Sequence, residues 1–423
     1  MTYRTVTDRS LGATDATGAT GATRAALLVL ALSLAALAAL CLVLRVPMAD
    51  ALVYRAEGAA VADGGDLYGF TVTRWHLPAT YPPFAALLFV PAAWLPVPAL
   101  KAAFAVGNAL LLALLVRLSC RFAGIAARPA AWLTATAAGL WLEPVFQTLL
   151  FGQINLALTC LVLWDLTRPP GSPGRGLAVG VAAGVKLTPA LFLLYALLRG
   201  RWREAGTGAA AFAGTVLLGA LVLPGASVDF WTRRLYETDR VGKTWIVDNQ
   251  SLQGLLARLL HTPAPGAAGA VVAGVVAVGG LWTARRAPER WGVLVTALTA
   301  LLVSPVSWSH HWVWCVPLLA VLVAEGRTRT AAAVAVVFTA RTLWLVPHQG
   351  ELDLHLPWWQ QPLASPYALL GLALSAQTAT RLRPGAPEGR GELREQPTTA
   401  RRRPPADQGR GERREQPTTA RRQ

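Results

Sequence analysis

The sequence predicts an all-α polytopic integral membrane protein, a bundle of about twelve transmembrane helices with two long outward-facing loops. Three observations lead there. Of 423 residues, 54% are hydrophobic and only 15% charged, with mean hydropathy +0.42, whereas a soluble domain of that length carries more charge. Runs of about fifteen to twenty uncharged residues recur along the chain, the length that lets backbone groups be satisfied within a span in lipid. Arginines gather between the runs, in Arg199-Gly-Arg201-Trp-Arg203, Arg285-Arg286 with Arg290, Arg327 with Arg329, and Arg381 with Arg383. Such basic connections belong on the cytoplasmic side.

Taken in order, residues 1–24 are polar, rich in Thr, Gly and Ala, and expected as a disordered cytoplasmic N-terminus. Ala25–Leu44 has no charge and is long enough to cross a bilayer. Its apolar core exceeds that of a signal peptide, and many more apolar runs follow. The candidate spans are 25–46, 82–96, 99–118, 129–143, 148–166, 176–198, 206–224, 267–284, 291–306, 311–324, 331–347 and 363–380. The 82–96 run is short, and a dip into the membrane is the alternative to a crossing. Counting twelve spans with both termini inside leaves Arg117, Arg121 and Arg128 facing outward, against the rule that places positive charge inside. Residues 25–380 thus form the membrane domain, and 381–423 a disordered basic cytoplasmic tail. In that tail GRGELREQPTTARR at 389–402 recurs as GRGERREQPTTARR at 409–422, a composition that builds no core.

The net charge of +16 does not indicate nucleic acid: the tail holds twelve arginines against six acidic residues, and much of the rest flanks spans. Cys41, Cys120, Cys160 and Cys315 sit in or beside apolar runs without metal-ligand spacing, as small core residues do.

Between Met48 and Pro83 the chain delivers Asp50, Tyr54, Arg55 and Glu57 to a membrane surface just after its first crossing. Asp50 and Tyr54, four apart, share a face of a short helix. Asp50 reads either as the N-cap of that helix or as a general base at the membrane–water boundary. Asp63-Gly-Gly-Asp66 forms a turn, and Tyr81-Pro82-Pro83 stops the loop. The second outward loop, 225–266, carries Trp231, Arg233, Arg234, Arg240, Lys243, Trp245 and the run Asp248-Asn249-Gln250-Ser251. All six histidines (76, 261, 310, 311, 348 and 355) fall on the outward side in this count.

Polar groups inside apolar runs are the next signal. Lys186 is one of three lysines against 36 arginines, and a charge in mid-span costs roughly 3 kcal/mol on insertion scales. It is expected to face the bundle interior, paired with an anion or with carbonyls freed by Pro189. Glu143, Gln153 and Asn155 face inward on the same argument, but the span count puts them at the cytoplasmic end. In Ser304-Pro-Val-Ser-Trp308-Ser-His310-His311-Trp312 an interfacial aromatic belt explains the tryptophans and not the histidine pair. One of the two is expected to reach the site and donate to a phosphate oxygen. No third ligand or HxxxH spacing accompanies them, so neither metal nor cofactor is expected.

An ordered set of motifs now becomes specific: DALVY at 50–54, LYG at 67–69, Tyr81-Pro-Pro, GQIN at 152–155, GVKLTPALFLLYALLRGRW at 184–202, NQSLQG at 249–254 and SPVSWSHHWVW at 304–314. Together they resemble glycosyltransferase family 87, the polyprenol-phosphate-mannose-dependent α-1,2-mannosyltransferases of phosphatidylinositol-mannoside and lipoglycan type. The resemblance runs from about Ala25 to Thr380; the polar N-terminus and basic tail depart from it. It implies a GT-C-like bundle in the cell membrane with its active site on the extracytoplasmic face. It also implies inverting transfer from polyprenyl-phosphate-mannose to a lipid or glycan acceptor, with an acidic residue of the first outer loop as base. Asp50 matches that residue. A carboxylate can take the proton of the attacking hydroxyl, and donors must meet the departing phosphate. His310 and His311 are the first candidates for that, with Lys186, Arg233 and Arg234 next. Tyr54, Gln153, Asn155, Asn249, Gln250, Ser251 and Trp308 are the remaining expected substrate contacts. A transporter or flippase of lipid-linked sugars would also explain Lys186, but the two halves show no repeat. Another sugar on the same carrier is the other alternative.

Overall fold

The computed structural model describes residues 7–382. The chain is mostly helical. In order the helices are α1 Thr7–Val43, α2 Ala49–Ala62, α3 Pro83–Ala93, α4 Val97–Ala123, α5 Pro129–Gly139, α6 Glu143–Phe151, α7 Asn155–Leu166, α8 Leu177–Val185 and α9 Ala190–Leu198. There follow α10 Trp202–Val222, α11 Pro224–Thr232, α12 Leu252–Leu259, α13 Gly266–Arg286, α14 Glu289–Val303, α15 Cys315–Ala324, α16 Thr328–Thr339, α17 Gln361–Ala364 and α18 Pro366–Arg381. One departure from all-α is a small antiparallel hairpin, β1 Thr71–Val72 with β2 Leu77–Pro78.

Helix α1 begins at Thr7, so residues 7–24, expected to be disordered, are helical in the structure. The tail expectation for 383–423 lies outside the described residues. Among the described residues four helices are long and apolar enough to cross a membrane: Thr20–Val43 within α1, α4, α10 and α13. They expose Leu28, Leu32, Leu110, Leu221 and Val275 on their outer faces. A surface of that kind suits lipid and not water.

Several runs expected as single spans are broken. The 148–166 run divides at Gly152, whose φ of 68° ends α6 and lets α7 start in a new direction. The 176–198 run divides at Lys186, which is extended, with Pro189 capping α9. Helices α8 and α9 then fold back on each other as a hairpin. Its two feet meet one carboxylate, Glu289 at the start of α14: Arg175 at 3.8 Å, Arg199 at 3.5 Å, and Arg201 in a short ion pair. Arg175 also bonds Glu204 at 3.0 Å, and Asp165 accepts from the Gly176 and Val179 backbone N–H groups. Gly176, Gly180 and Gly184 form a stripe along α8 against Glu204, Gly208 and Thr215 of α10, so close that a Cβ on any of them would collide. Small residues at four-residue spacing permit that approach in lipid. Nine residues of helix place Lys186 about 14 Å above the feet.

The 82–96 run also turns back. Residues on both sides of α3 reach α2: the Tyr81 hydroxyl meets that of Tyr54 at 3.1 Å, and Arg55 donates to the Leu95 carbonyl at 3.1 Å. Lys101, in the first turn of α4, bonds the Val46 carbonyl just beyond α1. The far end of α4 lies elsewhere, with Gly124 against Arg290. The turn after α4 therefore lies at the Arg290 end of α14. Nor are the two outward stretches simple loops. Residues 47–81 hold α2 and the β-hairpin, and 225–266 holds most of α11, two 3₁₀ turns and α12.

Candidate active site

The site assembles where the first turn of α2, the α6–α7 break, the tip of the α8–α9 hairpin and the 3₁₀ turn Ser309–Trp314 converge. Met48 is the N-cap of α2, with left-handed φ of 52° and no side-chain cap bond, so of the two readings of Asp50 the cap is excluded. Asp50 stands inside the first turn, where the helix dipole favours a carboxylate. Gly152 lies against that turn: a Cβ there would sit 2.7 Å from the Ala51 methyl, and its φ of 68° already calls for glycine. This contact brings Gln153 beside Asp50.

The Gln153 carbonyl oxygen accepts from the hydroxyls of Tyr54 at 2.8 Å and Tyr81 at 3.3 Å. Its amide N–H is thereby left to face Asp50, whose carboxyl it lowers. Burial nevertheless outweighs both this effect and the positive charge of Lys186, and the Asp50 carboxyl is pushed up to about 6. Two turns along α2 lies Glu57, buried with neither oxygen in hydrogen-bonding geometry. Burial raises it to about 8, the Thr80 backbone offsetting only part of the effect.

Lys186 donates to Asn155 Oδ1 at 3.1 Å, lies 2.8 Å from His311 Nε2, and sits 5.5 Å over the Tyr81 ring. The Asn155 amide donates to the His310 carbonyl at 3.0 Å, so one side chain ties the α7 start to both the lysine and the histidine turn. From Lys186, Asn155 and His311 a groove runs between α7, the Lys186–Phe192 stretch, α14 and the 3₁₀ turn Ser309–Trp314, lined by Leu158, Val162, Phe192, Leu301 and Trp314. Its polar end carries the cation, and apart from Thr159 and Thr188 the side chains beyond are apolar.

Of the residues expected from sequence, Asp50, Tyr54, Gln153, Asn155, Lys186, His310 and His311 are brought together. The count that put Gln153 and Asn155 at the opposite end from Asp50 is corrected by the Tyr54–Gln153 bond. Arg233 and Arg234 do not join them. They pair locally with Glu237 at 2.8 Å and 3.0 Å, and Arg234 with Asp229 at 2.7 Å. Asn249, Gln250 and Ser251, fully buried, are committed to backbone instead of an open site. The Asn249 amide donates to the Thr244 and Pro305 carbonyls, while its oxygen accepts from the Ser251 and Ser307 N–H groups. Gln250 spans the Val247 and Ala364 carbonyls and the Tyr367 N–H. Ser251 caps α12 through the Gly254 N–H. Trp308 is bridged to Asn249 and packs over Gly242, at the edge of this knot.

Two residues escaped the sequence reading. Tyr81, read as a loop stop and part of a motif but given no contact, holds Gln153; its position before Pro-Pro, which fixes the local backbone, was the available signal. Asp248 accepts from the Ser309 N–H at 3.1 Å and lies in the field of Asp50. Its one mark in the sequence was membership of the polar 248–251 run. Among the described residues no group of three His, Cys, Asp or Glu is arranged to hold a metal ion.

Mostly helical, with apolar outer faces and a buried polar site at a helix break, this is a membrane protein built around a chemical centre. The family model of glycosyltransferase family 87 matches residues 79–305. A polyprenol-phosphate-mannose-dependent alpha-(1-2)-phosphatidylinositol mannoside mannosyltransferase of Mycobacterium tuberculosis is 35% identical over 360 residues, 77% of this chain and 83% of the relative. Its namesake from Mycolicibacterium smegmatis is 36% identical over 407 residues, 83% of this chain and 91% of the relative. A phosphatidylinositol pentamannoside mannosyltransferase of the same organism is 37% identical over 272 residues, 62% and 66% of the two chains. No solved structure matches. The chain belongs to glycosyltransferase family 87.

Proposed function

We propose that this protein transfers mannose from polyprenyl-phosphate-mannose to a hydroxyl of a mannosylated phosphatidylinositol, forming an α-1,2 linkage with inversion. The relatives' names support donor, linkage and acceptor class. The observation that carries the chemistry is the Lys186–His311 pair at the polar end of the groove, with Asp50 in the field of that lysine. The groove suits a polyprenyl chain, and the lysine and imidazole suit its phosphate.

The acceptor hydroxyl loses its proton to the Asp50 carboxylate as its oxygen attacks the anomeric carbon. The bond from that carbon to the phosphate oxygen breaks, so a β-linked donor gives an α-product. The departing polyprenyl phosphate carries the additional negative charge, and Lys186 and His311 meet it without reorganising. Gln153, held by Tyr54 and Tyr81, keeps Asp50 aimed.

The topology that fits has ten crossings: α1, α4, α5, α7, α10, α13, α14, α15, α16 and α18. Helix α3 and the α8–α9 hairpin each return to the side they leave. Arg121, Arg128, Arg199, Arg201, Arg285, Arg286, Arg327 and Arg381 then share the cytoplasmic side with the start of α1 and the end of α18, in accord with the distribution of positive charge. The site faces the extracytoplasmic side.

The test uses the full chain in lipid with polyprenyl-phosphate-mannose and a mannosylated phosphoinositide, comparing wild type with Asp50→Asn. Transfer by wild type and none by a variant that still binds donor is the expected result. Equal transfer by both removes Asp50 as base. No transfer by wild type with donor bound rejects the substrate pair.

A further inference from the structure

We propose that Asp248 and His310 form a subsite for the acceptor sugar, binding hydroxyls adjacent to the one that attacks, apart from the donor-phosphate pair Lys186–His311. The inference rests on the mannosyl-transfer reading above.

Adjacent histidines do unlike things here. The His311 ring is engaged by Lys186 at 2.8 Å. The His310 ring is 96% buried, yet neither of its nitrogens has a hydrogen-bond partner. It lies edge-on to the His311 ring at 4.8 Å and to Phe151 at 5.4 Å, two residues before Gln153. Its backbone is pinned, because the His310 carbonyl accepts from Asn155 at 3.0 Å and Thr148 at 3.2 Å. A buried imidazole with two unsatisfied nitrogens on a pinned backbone is costly unless a ligand or water completes it.

Asp248 supplies the complementary acceptor. Its neighbours are fixed: the Val247 N–H donates to Asp353 at 3.1 Å, and Asn249 is bridged to Trp308. One Asp248 oxygen accepts from the Ser309 N–H, which places the carboxylate beside the turn that presents His310. Burial, then the charge of Glu143 and to a smaller extent that of Asp50, push the Asp248 carboxyl up to about 7. A carboxylate and an imidazole held at one turn are suited to a diol, the carboxylate accepting from one hydroxyl and the ring bonding its neighbour. Holding the acceptor this way leaves the attacking hydroxyl for Asp50.

Asp248 could instead serve only to anchor the turn, and Asp248→Asn separates the two roles. The asparagine carbonyl still accepts from the Ser309 N–H, while the second acceptor is lost. With purified full-length protein in lipid nanodiscs, Asp248→Asn and His310→Phe are expected to raise the acceptor KM at least about tenfold while the donor KM stays within about twofold. Wild type is expected to prefer the intact acceptor by at least about tenfold over a deoxy analogue lacking the hydroxyl next to the attacked one. That preference should shrink to about twofold in both variants. A donor KM that rises with the acceptor KM, or a wild type indifferent to the deoxy analogue, overturns the subsite; the second needs no variant to fold. Absence of wild-type transfer condemns the mannosyl-transfer reading itself.

Discussion

Two polar clusters occupy the same end of this bundle, and they are built on opposite principles. In the knot of Asn249, Gln250 and Ser251 each side-chain amide or hydroxyl is matched to backbone, and Arg258 adds bonds to the Trp245, Ile246 and Asn249 carbonyls. Around Asp50 the matching is incomplete. Gln153, Tyr54 and Tyr81 satisfy one another, but both His310 nitrogens and both Glu57 oxygens have no partner, and burial lifts Asp50 toward neutrality. A saturated network rigidifies, and an unsaturated one stores free energy that a substrate can release. Both clusters stand out in the sequence as polar motifs. Only the partner of each atom tells scaffold from site.

The sharpest break in this contrast is Asp50→Asn, expected to lower kcat by about 10² to 10⁴ with donor binding and melting temperature retained. Near-normal turnover would move the base elsewhere. Lys186→Gln should lower kcat/KM by about 10² through the donor, leaving the acceptor KM alone. Acidification gives the next effect. Asp50 must be ionised to take a proton, and its carboxyl sits at about 6. Activity should therefore fall about tenfold per pH unit below that value and level off above it. A pH–rate profile flat down to pH 4.5 contradicts this.

Asn249→Ala should do the reverse of Asp50→Asn. Losing its bonds costs about 2–4 kcal/mol of stability, seen as a lower melting temperature, while turnover per folded molecule changes by less than about twofold. A selective rise in either KM would make Asn249 part of the site. Smallest of all, Arg233→Ala, whose side chain is 62% exposed and paired with Glu237, should stay within about twofold in turnover. Chelator treatment should likewise leave transfer unchanged, and loss restored by magnesium would bring in a metal.

The membrane class was legible because lipid imposes one rule on every span. Asp50 was legible because it follows the first crossing and shares a helix face with Tyr54. Connectivity was harder. The 82–96 and 176–198 runs are apolar enough to pass as spans, yet each returns to the end it starts from. Counting both as crossings inverts everything between them and restores everything after. This is why Gln153 and Asn155 were put at the opposite end from Asp50, although Gln153 bonds Tyr54 on the same helix. What turns the second run back is Glu289 receiving Arg175, Arg199 and Arg201, a long-range meeting that composition does not carry. The roles of Asp248 and Tyr81 were hidden for the same reason, since each is defined by a partner distant in the chain.

The α8–α9 hairpin has a consequence for how the chain is made. While residues 176–200 emerge during synthesis, neither α10 with Gly208 and Thr215 nor α14 with Glu289 exists to receive them. The nascent segment has the apolar length of an ordinary span and only Lys186 to oppose insertion as one. Its final path is therefore settled after α10 and α14 arrive. Reporters fused to chains truncated after Gly200 should read the extracytoplasmic side, and the same position in the full-length chain the cytoplasmic side.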